Sequence, residues 1–349
     1  MSLKFGSRRT IVVSSPEIAK EMLQKHDLEF SGREICDAVR ALDHHKFSVF
    51  WLPAQSQWRN LRKLCKERIF SSERLNASQG LRQEKGIRRT AKLSYGKLLD
   101  IIDGIIRQRS QERNTSNTYL RKNDFLETLL DLNQQNESVL SYMGMKNLIL
   151  VIGGTETSSV TVEWAMAELL RNPEKKSKAR DEIMEIIPQN ELVQESDISN
   201  LPYLRSVIKE TFRLHPPAPF LVRQAESDTE INGYMVPKSA DILVNVWGIG
   251  RDPSLWSDPT SFVPERFMDT EIDVKGQHFE LLPFGSGRRI CPGLPLADRI
   301  VHLMVAALLH KFEWKLEEGI KPEELDMTEE LGGTIHKAVP LKAIALLEP

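Results

Sequence analysis

The chain has 349 residues, enough for one large domain or two ordinary ones. With 40% apolar and 28% charged residues and a net charge of −2, it reads as a globular protein, and nothing in its charge argues for a nucleic acid partner. Cys36, Cys65 and Cys291 are too few and too widely spaced for a disulfide framework, and no apolar run approaches the roughly 18 residues that span a bilayer. From the N-terminus, Lys4 to Val13 carries the β-branched run Thr10-Ile11-Val12-Val13 and predicts a strand; no apolar core of signal-peptide length precedes it. Ser15-Pro16-Glu17 predicts a helix start, with Ser15 as cap and Pro16 in the first turn, running to about Lys25. Asp27 to Pro53 has little periodicity and reads as a long loop.

Gln55 to Phe70 predicts a helix with two faces. Trp58, Arg62, Cys65 and Ile69 recur at helical spacing on one side, and Arg59, Lys63 and Lys66 fall beside them. By themselves these residues describe a helix with one buried Trp and a solvated basic face. Gly86-Ile87-Arg88-Arg89 follows almost directly, and the junction near 85–86 is the oddest in the chain. Leu93 to Arg109 and Asp124 to Asn133 predict helices around a polar loop, Asn114 to Asn117. Asn147 to Arg171 predicts a helix containing GGTETSS, in which the Thr157 hydroxyl can bond back to the Gly153 carbonyl and open the helix for a water, with Glu156 as a proton source. The same spelling also suits a helix N-terminus capped by Thr155.

A further helix from near Leu204 to His215 places Glu210 and Arg213 three residues apart on one face, where they can pair. Pro217 to Val222 reads as strand-like, and His215 and His278 as capping or surface residues. The most informative string is FGSGRRICPG, Phe284 to Gly293. Gly285 and Gly287 let the backbone fold tightly under a flat macrocycle. Cys291 stands before an amphipathic run, Leu294 to Leu309, that reads as a helix, with Pro292 suited to its first position. The amides of Gly293 and Leu294 can stabilise a thiolate there, and Arg289 supplies a cation suited to a haem propionate. A buried structural cysteine in a Gly-rich turn is the alternative for a cysteine met alone. The chain ends in a strand-like stretch, Ala338 to Leu347.

This string resembles the haem loop of the cytochrome P-450 monooxygenases, Phe-x-x-Gly-x-Arg-x-Cys-x-Gly, and Phe284, Gly287, Arg289, Cys291 and Gly293 match it throughout. The resemblance covers essentially the whole chain and is nearest to plant terpenoid hydroxylases of the geraniol 8-hydroxylase type. It implies a single domain over 1–349, mainly α with small β-sheets, in which the N-terminal anchor and several internal helices of the family are missing. It implies haem b, iron protoporphyrin IX, with Cys291 as the metal ligand; a thiolate pushes electron density onto iron and favours O–O cleavage. Trp58 and Arg62 match the family's Trp-x-x-x-Arg pair against a propionate, and Arg223 is a candidate for the second one. Glu156 and Thr157 match its acid–alcohol pair. Glu210, Arg213 and Arg266 match a buried network that holds the cysteine loop in shape.

The function so implied is hydroxylation of a small apolar substrate, a monoterpenoid by subfamily, using dioxygen and NADPH-derived electrons from an NADPH-cytochrome reductase. The basic stripe Arg59, Lys63 and Lys66 is the candidate docking face for that acidic partner. The family works at the cytosolic face of the endoplasmic reticulum membrane; without a spanning anchor this chain is expected to be peripheral or soluble. The rival reading is a catalytically inactive, truncated product that binds haem weakly or misfolds.

Overall fold

The computed structural model describes residues 1–5, 8–35, 48–77, 106–107, 110–111, 113, 130 and 154–347. The expectations for the junction near 85–86 and the loop Asn114–Asn117 lie outside the described residues. So do most of the helices expected at Leu93–Arg109 and Asp124–Asn133, and the lead-in 147–153. The chain divides into two compact units, one formed by residues 1–32 and 155–349, the other by 33–154.

In chain order the first unit begins with strands β1 (Ser2–Phe5) and β2 (Arg8–Val13), which pair antiparallel. The single strand expected over Lys4–Val13 is therefore two. Val13 is buried, whereas Arg8 and Arg9 are exposed, so the apolar end of the run enters the core. Helix α1 (Pro16–Lys20) starts as its sequence predicts: the Ser15 hydroxyl accepts from the Ile18 amide and Pro16 occupies the first turn. It continues as a wider π turn over Glu21–Lys25.

In the second unit, α2 (Ser56–Leu64) runs into a π turn, Cys65–Ile69, and α3 (Ser72–Ala77) follows. Of the face that the spacing predicts, Trp58, Cys65 and Ile69 are buried and Arg62 is half-buried, with Leu61 buried beside them, while Arg59, Lys63 and Lys66 are exposed.

The first unit resumes with α4 (Gly154–Arg171), α5 (Pro173–Ile186) and α6 (Pro202–Leu214). Strands β3 (Phe220–Gln224), β4 (Thr229–Ile231), β5 (Tyr234–Val236) and β6 (Asp241–Asn245) lead to a single turn, α7 (Val246–Ile249), whose cap is Asn245 accepting from Gly248. Helix α8 (Leu294–Lys311) and strands β7 (Phe312–Leu316), β8 (Glu329–Leu331), β9 (Ile335–Lys337) and β10 (Ala343–Leu347) complete it.

The largest sheet has the order β1-β2-β6-β3, with β2 and β6 parallel and their register set by Thr10 opposite Asp241. Four helices make the main core. On α4 the residues Val162, Ala165, Met166 and Leu169, at one-face helical spacing, pack with Ile183 of α5, Leu204 and Phe212 of α6, and Val301, Val305 and Leu309 of α8. A second core joins α1 to the sheet through Ala19, Met22, Leu23, Ile242 and Val244, and reaches Phe279 and Leu282 just ahead of the cysteine loop. The loop is thereby carried between two packed layers. Among the described residues no helix is long and apolar enough to cross a membrane.

Candidate active site

The loop is shaped by two residues that only glycine suits. Gly285 and Gly287 have φ of +72° and +65°, in the left-handed region that side chains avoid. At Gly287 a Cβ would also run into the carbonyl oxygen of Leu23 in the turn after α1, so the loop lies directly on that turn. The turn Gly287–Arg289 follows, and the Cys291 amide donates to the Phe284 carbonyl at 2.9 Å, closing the loop. Phe284 anchors its rim, edge-on to Phe212 at 5.2 Å between centroids.

Cys291 is half-buried, and its Sγ lies 3.8 Å from where a Cβ on Gly293 would stand, so the thiol sits over Gly293. The helix begins at Leu294, where its sequence predicts. Gly293 precedes the first turn, the amides of Leu296 and Ala297 both donate to its carbonyl, and the first-turn proline is Pro295, not Pro292. Cys291 therefore faces the start of α8 from outside it. Among the described residues no three of His, Cys, Asp or Glu converge on one point.

Two buried arginines lie beside the loop. Arg289 is 8% exposed and its Nε donates to the Ser31 carbonyl at 3.0 Å. Arg223, on β3, is 3% exposed; its Nη1 donates to the Val222 carbonyl, and its Nη2 lies 3.8 Å from where a Cβ on Gly285 would stand. Among the described residues Arg223 has no carboxylate partner. Burial, and then repulsion from Arg289, push its guanidinium down to about 10, which still leaves it a cation at neutral pH.

On α6, Arg213 grips Glu210 with two bonds of 2.7 Å, and both side chains are fully buried. Arg266 adds a third bond at 3.1 Å and the Val263 amide a fourth at 2.8 Å. Arg213 spends its other N–H groups on the carbonyls of Gly250, Pro259 and Ser261, and Arg266 donates to Ser257. Every charge in this network is met, the condition under which a buried ion pair holds a shape.

On α4, Glu156 is exposed in the first turn and Thr157 is half-buried one residue later. The expected bond from Thr157 to Gly153 ends on a residue outside those described. The same kind of back-bond occurs one turn on, where the Thr161 hydroxyl donates to the Thr157 carbonyl at 2.8 Å. Glu156 instead has a partner that its own segment does not supply, the Thr334 hydroxyl, which donates to Oε1 at 3.2 Å.

The family model described as cytochrome P450 matches residues 1–88 and 85–342. The chain belongs to the cytochrome P450 family. A ferruginol synthase of Isodon rubescens is 41% identical over 99% of this chain and 87% of its own length. A geraniol 8-hydroxylase of Catharanthus roseus is 39% identical over 99% and 86%. That second alignment runs to 428 positions, more than the 349 residues present here. A zebrafish cytochrome P450 solved with abiraterone superposes with a TM-score of 0.79 at 22% identity, covering 99% of this chain and 96% of that one. The fold is therefore the cytochrome P450 fold, and by family the chain is a haem-dependent monooxygenase.

The residues present fit haem. A thiol stands over a glycine, the loop carrying it is shaped by positive-φ glycines, and a buried arginine with no carboxylate partner among the described residues lies next to a second one, ready for acidic substituents. Of the remaining P450 positions read from the sequence, Trp58 is 4% exposed and its indole N–H donates to the Val49 carbonyl at 2.9 Å. Arg62 is half-buried, with its guanidinium carbon 5.7 Å from the Trp58 ring centre. Both belong to the second unit.

His215 caps α6, one of its two expected roles, with its amide donating to the Thr211 carbonyl; the other expected role, a surface histidine, does not hold. Rather than lying at the surface it is 5% exposed and stacks on Trp164, with ring centres 3.9 Å apart and planes 1° from parallel. Its two ring nitrogens face Glu168 of α4 at 2.8 Å and Glu329 of β8 at 2.9 Å. His278, by contrast, is half-exposed as expected. Glu329 also accepts from the Trp247 indole and from Arg251. Burial acts to raise its carboxyl, but the bonds from His215 and Trp247 and the Arg251 charge outweigh burial and hold it below the usual carboxylate range. A carboxyl depressed by folding contributes stability above its unfolded value and loses it as pH falls through the folded one. Glu329→Gln should therefore lower stability at pH 7 by on the order of 1 kcal/mol, and the gap to wild type should close in acid. Urea midpoints at pH 7 and pH 4 check this; a gap of equal size at both would sink it.

Proposed function

We propose that the chain hydroxylates a small apolar terpenoid, with the loop Phe284 to Gly293 as its haem site and Cys291 as the iron ligand. The observation that carries this reading is the position of the Cys291 thiol over Gly293, beside the buried cations Arg223 and Arg289. When bound, haem activates dioxygen and delivers one oxygen atom to a C–H bond. Each other task falls to the protein. Cys291, as thiolate, donates electron density to iron, and the start of α8 favours its negative charge. Arg289 and Arg223 neutralise the propionates, and the dianion in turn relieves the repulsion between them. Phe284, Gly287 and Gly293 keep the loop flat and close. Trp58 and Arg62 are assigned to the same cofactor only on their match to the family's Trp-x-x-x-Arg pair. Glu210, Arg213 and Arg266 hold the loop in shape without touching the reaction.

Thr157 and Glu156 are assigned to proton delivery, Thr157 by opening the helix through its bond to Gly153 so that a water can enter, and Glu156 by supplying the proton. Electrons come from NADPH through a flavoprotein reductase, for which the exposed stripe Arg59, Lys63 and Lys66 offers a basic face. The terpenoid class rests on the printed activities of the relatives, geraniol 8-hydroxylase and ferruginol synthase. By family habit the chain works at the cytosolic face of the endoplasmic reticulum, as a peripheral or soluble protein.

One observation favours the alternative of an inactive product. The family match comes in two segments meeting at residues 85–88, and the alignment to a relative is longer than this chain, which supports reading the junction near Lys85–Gly86 as one where internal helices of the family are missing. Their loss would leave apolar surface uncovered and admit water to the pocket. The reduced carbon-monoxide difference spectrum of haem-loaded protein, followed by turnover of geraniol with NADPH and reductase, separates the readings. A thiolate-type band with product formation supports the enzyme. A neutral-ligand band, or a thiolate band without product, supports the inactive product.

A further inference from the structure

The hairpin of β8 and β9 is fastened to the monooxygenase core at several separate points. The Glu329 carboxylate holds His215, which in turn holds Glu168 of α4. The Ile335 amide donates to the Pro217 carbonyl at 2.9 Å, and the Trp164 indole donates to the Ile335 carbonyl at 3.3 Å. Just beyond the hairpin, the Leu341 amide donates to Glu163 of α4 at 2.8 Å. Thr334 sits at the tip, 6% exposed, in a tight turn where its own carbonyl accepts from Gly332. Its hydroxyl cannot wander, and it points at the Glu156 carboxylate at 3.2 Å. Glu156, on the other side of that bond, is exposed and would otherwise sample several rotamers.

We propose that Thr334 is the positioning residue for Glu156, holding its carboxylate in one orientation at the start of α4 from a hairpin anchored elsewhere on the same helix. This rests on reading Glu156 as the proton source. A hydroxyl that donates to the ionised carboxylate stabilises one rotamer. When the acid is protonated the same hydroxyl can accept instead, so Glu156 keeps its place through both halves of a proton transfer. The latch of His215 between Glu168 and Glu329 fixes the far end of the hairpin, so the reach of Thr334 is set by packing and not by the mobility of a free loop.

The test compares Thr334→Val, which keeps the shape and removes the hydroxyl, with Thr334→Ser, which keeps the donor; Glu156→Gln is the control. The first readout needs no turnover. The carboxylate stretch assigned by its disappearance in E156Q should shift in T334V and return to the native frequency in T334S. The second is peroxide released per NADPH consumed with haem, reductase and geraniol present. It should rise about two- to fivefold in T334V, the equivalent of one ordinary net hydrogen bond, and be restored in T334S. An unmoved carboxylate band in T334V overturns the proposal outright. A shifted band with unchanged peroxide release, while E156Q raises that release, also overturns it but leaves Glu156 as the acid. Unchanged peroxide release in E156Q removes the acid reading, and Thr334 then has nothing catalytic to position.

Discussion

Cys291→Ser is expected to abolish the thiolate-type carbon-monoxide band while leaving the helical content close to wild type. The backbone bond from residue 291 to Phe284 does not involve the side chain, and the left-handed turns at Gly285 and Gly287 are unaffected, so the loop keeps its course. A hydroxyl in place of the thiol stays protonated at neutral pH and does not provide the soft, electron-rich donor that a thiolate does. The comparison should include Cys65→Ser. Cys65 is the other cysteine among the described residues; it is 2% exposed on the buried face of α2, and the spectrum should ignore its replacement. Far-UV circular dichroism of each variant separates ligand loss from unfolding. If C291S retained the native band, another residue would have to be the ligand and the assignment of the loop would fail.

Arg213→Ala should be the most damaging single change away from the loop. It leaves the Glu210 carboxylate buried with two bonds lost, and strips donors from the carbonyls of Gly250, Pro259 and Ser261. Removing one partner of a fully buried pair costs about 3–5 kcal/mol, a large share of the 5–15 kcal/mol by which such a domain is stable. Arg213→Lys should recover little, because a single ammonium cannot reproduce a fork that serves a carboxylate on one side and carbonyls on the other. The check is the denaturant midpoint and soluble yield of both variants against Arg266→Ala. Arg266 is 11% exposed along its side chain and makes one of the bonds to Glu210, so its loss should be milder. Equal midpoints for wild type and R213A would show the network to be dispensable.

What could be read from the residues alone followed from how local the determining physics is. The start of α1 was legible because Ser15 and Pro16 act within one turn, and the two faces of α2 because burial follows its 3.6-residue period. The cysteine loop was legible because its glycines, its arginine and its thiol are contiguous. The partner of Glu156 was not: Thr334 lies 178 positions away, and a lone Thr beside two glycines carries no signal of its own. The cap at His215 was legible, but its burial was not, for the same reason. Its side-chain surroundings come from α4 and β8, and a His before two prolines gives no sign of the Trp164 ring and two carboxylates that close around it. The split of the first strand is a smaller miss, decided by which neighbours pack against the element.

The seat of the cysteine loop on the turn after α1 has a consequence for how the chain is made. Arg288 pairs with Asp27 across 261 positions and Arg289 reaches Ser31 across 258, while Leu23 supplies the surface against which Gly287 is pressed. Contacts so distant in sequence carry a loop-closure cost that must be met before they return any stability. During synthesis the first thirty-odd residues emerge long before the loop they support, so their apolar side chains, Met22, Leu23 and Phe30 among them, wait uncovered for most of translation. The thiol can take its final shape only after the segment through α8 has left the ribosome and folded back onto the beginning of the chain. Cofactor capture is thus a late event, and the interval before it is when this protein is most open to aggregation and to chaperones.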